Sequence, residues 1–231
     1  MKKENITELL PSCCHVGFLS INNCSDEERV SVQELLSCTN TIIVLAHHIK
    51  SYLEWAWFPL ESERNNNTCG ADLHTKNILQ NIESFLKSKD FSSCIVPYPG
   101  ISGIRMKEIA DKTNLGSIGD NYMFLHPEWG SWTHLRVLLT DAKIEEKRQS
   151  KQDACIHCGK CLSACPANAI QKNTFNGIAC KDYQMVMANG IKDSYFWKCE
   201  VCARVCPIGQ APSQIKITKS ETEENMHEFI N

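Results

Sequence analysis

Apolar positions along the chain alternate between two periods. TIIVLAHH (41–48) is a continuous β-branched and apolar run, which predicts a buried strand. From 71 to 89, Leu73, Ile78, Leu79, Ile82, Phe85 and Leu86 recur at helical spacing. A shorter helix is expected over VSVQELLSC (30–38). SCIVPYPG (93–100) predicts a strand ending in a Pro/Gly turn, and Ser102 is placed to N-cap a helix that runs to about Lys112. NYMFLHP (121–127) and THLRVLLTD (133–141) predict two strands around a tight EWGSW connection. ESERNNNTCGAD (61–72) reads as a loop. IEEKRQSKQD (144–153) has no apolar residue after Ile144 and reads as a solvated linker, and the tail KSETEENMHEFIN is polar and acidic.

The order of elements predicts an α+β chain of two domains. Residues 1–145 would form a layered α/β domain, 146–215 a small cysteine-rich domain and 216–231 a polar tail. The 231 residues are 42% apolar, enough for a real core in the front part. Net charge is −3 without a strongly basic stretch, which speaks against a general nucleic-acid binder. The N-terminus has no apolar h-region, and no apolar run approaches the ~18 residues of a membrane span. The expectation is a cytoplasmic protein with no membrane partner.

Fourteen cysteines change the picture. They sit in CxxC clusters in a long chain without a signal, which favours metal ligation in a reducing compartment. Run one is Cys155-x2-Cys158-x2-Cys161-x3-Cys165-Pro166, the bacterial ferredoxin spacing, whose fourth cysteine serves the other cluster. Run two is Cys199-x2-Cys202-x3-Cys206-Pro207, one cysteine shorter, and the isolated Cys180 makes up the number. Interleaving predicts two 4Fe–4S clusters. Cys155, Cys158, Cys161 and Cys206 would hold the first, and Cys165, Cys180, Cys199 and Cys202 the second. Zinc ribbons, the competing metal reading, pair CxxC motifs across a long spacer and do not need four cysteines in tandem. Cys13, Cys14, Cys24, Cys38, Cys69 and Cys94 read as ordinary thiols. Adjacent cysteines such as Cys13 and Cys14 seldom share one ligand geometry. His157 is expected to pack beside the first cluster, and His47 and His48 to be satisfied core or surface histidines. Two clusters in series carry electrons one at a time, so a further redox centre is expected in the front domain.

LGSIGDNYMFLHPEWGSWTHLRVLLTD (115–141), with the cysteine runs behind it, resembles epoxyqueuosine reductases and, more distantly, the iron–sulfur half of reductive dehalogenases. The likeness is carried by LGxxGxN, HPEWGSW, LLTD, CPANAI, Cys180 and the final CxxCxxxCP, and it is good from about 105 to 210. It implies a corrinoid-binding domain of nitroreductase-like fold joined to a ferredoxin-like two-cluster module. It also implies reduction of cobalamin cobalt through the clusters. Gly116, Gly119, Asn121, Gly130 and Ser131 would approach the corrin, since a flat macrocycle needs close main-chain contact. FMN is an alternative occupant, by analogy with the nitroreductase fold.

The chain departs from that family in two places. VPYPGISG (96–103) has Pro99 or Gly100 where the family carries an acidic proton donor. Tyr98 is the remaining candidate there, although a free phenol with a pKa of about 10 is a weaker acid. The chain also ends soon after run two, where longer members continue into a helical-repeat domain that holds tRNA. The reading placed first is therefore an iron–sulfur oxidoreductase that reduces a corrinoid, or uses it to reduce a small molecule. tRNA is not expected as a partner, and the electron donor would be a low-potential ferredoxin or flavodoxin. Epoxyqueuosine reductase itself and a plain ferredoxin-type carrier are the alternatives. The chain would be a monomer or homodimer.

Overall fold

A computed structural model describes residues 1–55, 57–59, 67–98, 103–144, 153–189 and 199–212. The early elements are α1 (Glu4–Thr7), β1 (Cys14–Ser20), α2 (Asp26–Leu35), β2 (Thr41–His48), α3 (Tyr52–Trp55), β3 (Trp57–Pro59) and β4 (Asn67–Cys69). Next come α4 (Gly70–Lys87), β5 (Ser93–Ile95), α5 (Met106–Asp111), β6 (Ser117–Ile118), β7 (Phe124–Leu125) and β8 (Thr133–Thr140). The cysteine-rich part holds α6 (Lys160–Ala164), β9 (Ile170–Gln171), β10 (Thr174–Phe175), α7 (Gly177–Asn189) and α8 (Val201–Arg204).

These elements gather into two compact units that are interleaved in sequence. The first takes Met1–His48, Thr75–Ser117 and Thr133–Asp153. The second takes Ile49–His74, Ile118–Trp132 and Ala154–Asn231. Two stretches of the front part thus count with the cysteine runs, and the division is not a single cut.

The first unit is built on a four-stranded sheet in the order β1-β2-β8-β5, every neighbour antiparallel. The fold is α+β. β2 is central, and all its residues but His48 are buried, as its unbroken apolar run requires. Ile43 and Leu45 on β2 meet Leu138 on β8, Phe18 on β1 and the stripe Ile78, Leu79, Ile82 and Leu86 on α4. Burying side chains of this size stabilises by about 1.5–3 kcal/mol each.

Several elements differ from the sequence reading. β1 leaves no mark in the apolar pattern, because CHVGFLS mixes polar and apolar positions and contains Gly17. A Cβ at Gly17 would lie 2.7 Å from Thr113 Cβ, so the strand admits only glycine where that loop crosses it. α2 begins at Asp26, ahead of the expected 30, because Ser25 and Glu28 form a capping box. The expected loop at 61–72 contains β4 and the start of α4. NYMFLHP forms only two strand residues, since Tyr122 takes a left-handed φ of 57° inside a turn. Arg105 precedes α5 and makes no side-chain cap. Pro99, Gly100 and Ser102, with most of the charged linker and the tail, lie outside the described residues. No helix among the described residues is long and apolar enough to cross a membrane.

Glu28 links the cap to the neighbouring helix. Its Oε2 accepts from Ser25 N at 2.7 Å and from Lys112 Nζ. Burial raises its carboxyl pKa, but the bonds from Lys112 and Ser25 outweigh that and hold it below the ordinary value. Its stabilising contribution is therefore present above the unfolded-state pKa and is lost as pH falls through the folded one. Glu28→Gln should cost about 1 kcal/mol at pH 7. Thermal unfolding of variant and parent should converge as pH falls below about 4, and a constant difference at every pH would refute the charge-based account.

Candidate iron–sulfur centre

Run one is shaped by two left-handed residues. His157 has φ 52° and Gly159 φ 73°, and Gly159 directly precedes α6. A Cβ at Gly159 would meet nothing within 4 Å, so the backbone angle and not crowding calls for glycine. CIHCGKC thereby curls around a small cleft. Cys155, Cys158, Cys161 and Cys206 line it, with Asp120, Asn121, Leu125 and Ile208. Three thiols of run one and the last thiol of run two share this space.

The remaining four cysteines sit on short helices or at their ends. Cys165 ends α6, and its Sγ accepts from Ala169 N at 3.3 Å. Cys180 lies on α7, with its Sγ 3.1 Å from Gln184 Nε2. Cys199 precedes α8 and Cys202 lies on it, with its Sγ 3.9 Å from Met123 Sδ. α6 and α8 pack together, which brings the two runs side by side.

The thiol electrostatics follow the same grouping. Burial and then the charges of Cys199, Cys180 and Cys165 push Cys202 up to about 12, with Cys161 a lesser cause. Burial raises Cys199, a backbone hydrogen bond opposes this, and Cys180 and Cys165 add to the rise. Burial raises Cys206, with Cys158 and Cys155 as its charged neighbours. Burial, and then the Asp120 carboxylate, raise Cys161, again with Cys155 and Cys158 nearby. The raised thiols Cys161 and Cys206 thus have Cys155 and Cys158 as neighbours, and Cys199 and Cys202 have Cys165 and Cys180. All eight are free of disulfides. Such a donor set fits thiophilic iron, which supplies the positive charge that the sets lack.

Most of the residues assigned to a corrin have close neighbours within the protein. Gly116 is buried before β6. A Cβ at Gly119 would lie 2.4 Å from Leu125 Cδ1. Asn121 Nδ2 donates to Ser131 Oγ at 2.8 Å, and both side chains are buried. Gly130 has φ 59°, and a Cβ there would lie 1.8 Å from the Ile208 carbonyl oxygen. Gly209 answers it: its φ is 77°, and a Cβ would lie 2.3 Å from the Trp129 carbonyl. Between His126 and Gly130 two backbone hydrogen bonds of 3.0 and 2.8 Å close the HPEWG turn, on which the His126 and Trp129 rings stack. HPEWG therefore seats the backbone that follows Cys206. Gly209 and Ile208 escaped sequence reasoning, although a glycine just after Cys-Pro was the available signal.

The other candidates lie elsewhere. Tyr98, half-buried in the first unit, has its ring 5.0 Å from that of His134 and 5.5 Å from the Arg136 guanidinium. His157 is exposed, pairs with Asp120 at 2.9 Å, and has its ring nitrogen within 4.8 Å of Cys155 Sγ, beside the first thiol set. His47 is buried against Cys14.

Cys206→Ala and Cys158→Ala should each lower iron from about eight to about four per chain. They should leave the same residual electron-paramagnetic-resonance spectrum, and one that differs from that of Cys202→Ala. Matching spectra for Cys206→Ala and Cys202→Ala would reverse the grouping. Because the raised thiols must lose protons to bind iron, reconstitution of the iron-free protein should be more complete at pH 8.5 than at pH 6.5, within about that range. An iron assay checks it.

A family model described as a 4Fe-4S dicluster domain matches residues 154–210. In sequence, the chain is 27% identical over 210 residues to an epoxyqueuosine reductase of Bacillus subtilis (strain 168), covering 84% of this chain and 54% of that protein. It is 26% identical over 195 residues to that of Bacillus anthracis, covering 78% and 51%. The chain spans about half the length of the curated relatives it matches. Among solved structures, selenomethionine-labelled epoxyqueuosine reductase matches with TM-score 0.66 at 23% identity, over 92% of this chain and 65% of that one. A catabolic reductive dehalogenase matches with TM-score 0.55 at 15% identity, over 83% and 29%. Residues 154–210 thus form a 4Fe–4S dicluster, ferredoxin-like domain, within a chain related in sequence to epoxyqueuosine reductases and sharing its fold with them and with reductive dehalogenases.

Proposed function

We propose that this chain is an iron–sulfur oxidoreductase of the epoxyqueuosine reductase kind. The observation that carries the reading is the sorting of eight thiols into two sets of four, each drawing on both cysteine runs, within a chain similar to those enzymes. When bound, two 4Fe–4S clusters would supply one-electron transfer in series, enough for a two-electron reduction of an epoxide. Cys155, Cys158, Cys161 and Cys206 would hold the first, and Cys165, Cys180, Cys199 and Cys202 the second. Donors to Cys165 and Cys180 from Ala169 N and Gln184 Nε2 would stabilise added negative charge on those sulfurs.

Epoxyqueuosine reductase, an alternative on sequence, thus stands above the corrinoid-centred reading, because the relatives are named for their epoxide substrate. One matched structure is an epoxyqueuosine reductase with a modified tRNA stem loop. tRNA therefore enters as the proposed partner, although net charge alone pointed away from it. The corrinoid stays as a proposed acceptor on resemblance alone, and no step is drawn through it. A ferredoxin or flavodoxin would be the donor. Tyr98 is the proposed proton donor, with Arg136 oriented over its ring.

The test is turnover of an epoxyqueuosine-containing tRNA stem loop by the anaerobic, fully iron-loaded protein with added cobalamin and a low-potential reductant, followed by mass spectrometry. Loss of the epoxide supports the reading, and no conversion at full iron content overturns it. Titration with cob(II)alamin, followed by the change to a base-off spectrum, tests the acceptor separately, and release of yellow FMN on denaturation would replace it. Tyr98→Phe should slow conversion about 10²-fold or more at unchanged iron content.

A further inference from the structure

The first unit carries a second group of thiols, far in sequence from the iron ligands. Cys13, Cys14 and His47 present their Sγ and imidazole nitrogen atoms within 4.8 Å of one another. The local fold explains how adjacent cysteines reach one point. Cys14 N bonds to Pro11 O at 2.9 Å, so Cys13 lies in a turn and not in regular strand. Alternation begins only at Cys14, and the two side chains do not diverge. Cys14 is the register partner of His47, and His48 N bonds to Cys13 O at 2.8 Å, which pins the pair to the end of β2.

We propose that Cys13, Cys14 and His47 form a site for a divalent d10 cation, zinc, independent of the iron–sulfur clusters. Two thiols and an imidazole are the soft and borderline ligands that zinc takes. Tetrahedral bonds of about 2.3 Å to sulfur and about 2.0 Å to nitrogen place two such ligands roughly 3.6 Å apart. Cys14 Sγ and His47 Nδ1 are 3.4 Å apart. Charge balance favours the same cation. Cys14 and His47 are 4% and 1% exposed, and two thiolates there would be costly alone. With one divalent cation the group is neutral, the two thiol protons passing to solvent on binding. Three protein ligands leave a fourth position for water. His134 is the register partner of His47 on the next strand, so another imidazole stands on the same face. The cation would tie the entry of β1 to the exit of β2.

The experiment uses the full chain, purified anaerobically with clusters intact from zinc-supplemented culture. Elemental analysis should give about one zinc per chain beside full iron, and X-ray absorption at the zinc edge should give two sulfurs and two lighter atoms in the first shell. In Cys13→Ser, whose thiol is only partly buried, zinc should fall at least about tenfold while iron stays unchanged. Zinc below about a tenth of an equivalent at full iron would overturn the proposal. So would unchanged zinc in Cys13→Ser. A four-sulfur shell would also overturn it, because that places zinc at the cluster cysteines.

Discussion

In the second unit, two backbones meet where neither tolerates a side chain. Gly130 lies against the Ile208 carbonyl, and Gly209 against that of Trp129. Both residues are left-handed, so each needs glycine twice over, for its own torsion and for its neighbour's surface. Other contacts converge on the same segment. Asp120 pairs with His157, Met123 touches Cys202, and the Trp132 ring lies under the Arg204 guanidinium. The stretch from 118 to 132 is thus the support against which both cysteine runs are held. Cys206 reaches the first thiol set only if the chain behind it is seated there.

That support matters because the cysteine runs have little else to fold around. Beyond residue 153, the residues whose side chains are described bury only Ala169, Ile170, Ala203 and Pro212 among their apolar side chains. The helices are short, and the thiols they converge repel one another as thiolates. Such a segment depends on its metal for cohesion. The first unit is the opposite case, with a continuous apolar core between sheet and helix.

Strong, uninterrupted patterns were legible in the sequence. The β2 run and the α4 stripe appear close to where periodicity put them, and so does β8. β1 was hidden because its burial comes from a loop crossing Gly17, which no local pattern records. The capping box at Ser25 and Glu28 carries no apolar period, so periodicity alone starts α2 at 30 and not at Asp26. Gly119 of LGSIG and Gly130 of HPEWGSW do have close neighbours, though the sequence reading assigned them to a corrin. What approaches Gly119 and Gly130 is Leu125 and the chain behind Cys206, and a glycine does not say which surface it admits. The sharing of one cleft by Cys206 and run one follows from ligand counting. The meeting of Cys13 and Cys14 does not, because it turns on a single backbone hydrogen bond to Pro11.

The interleaving of the two units in sequence also sets an order of assembly. β8, the last strand of the sheet, ends at Thr140, before the first cysteine of run one is made at 155. On the ribosome the sheet can therefore close first, since segments fold in the order they emerge. When it closes, residues 118–132 are already a loop with both ends anchored. The cysteines then emerge one run at a time, and Cys206 is the last of the eight. Iron delivered before that point meets an incomplete first set. Cluster insertion would thus be timed by translation as much as by iron supply.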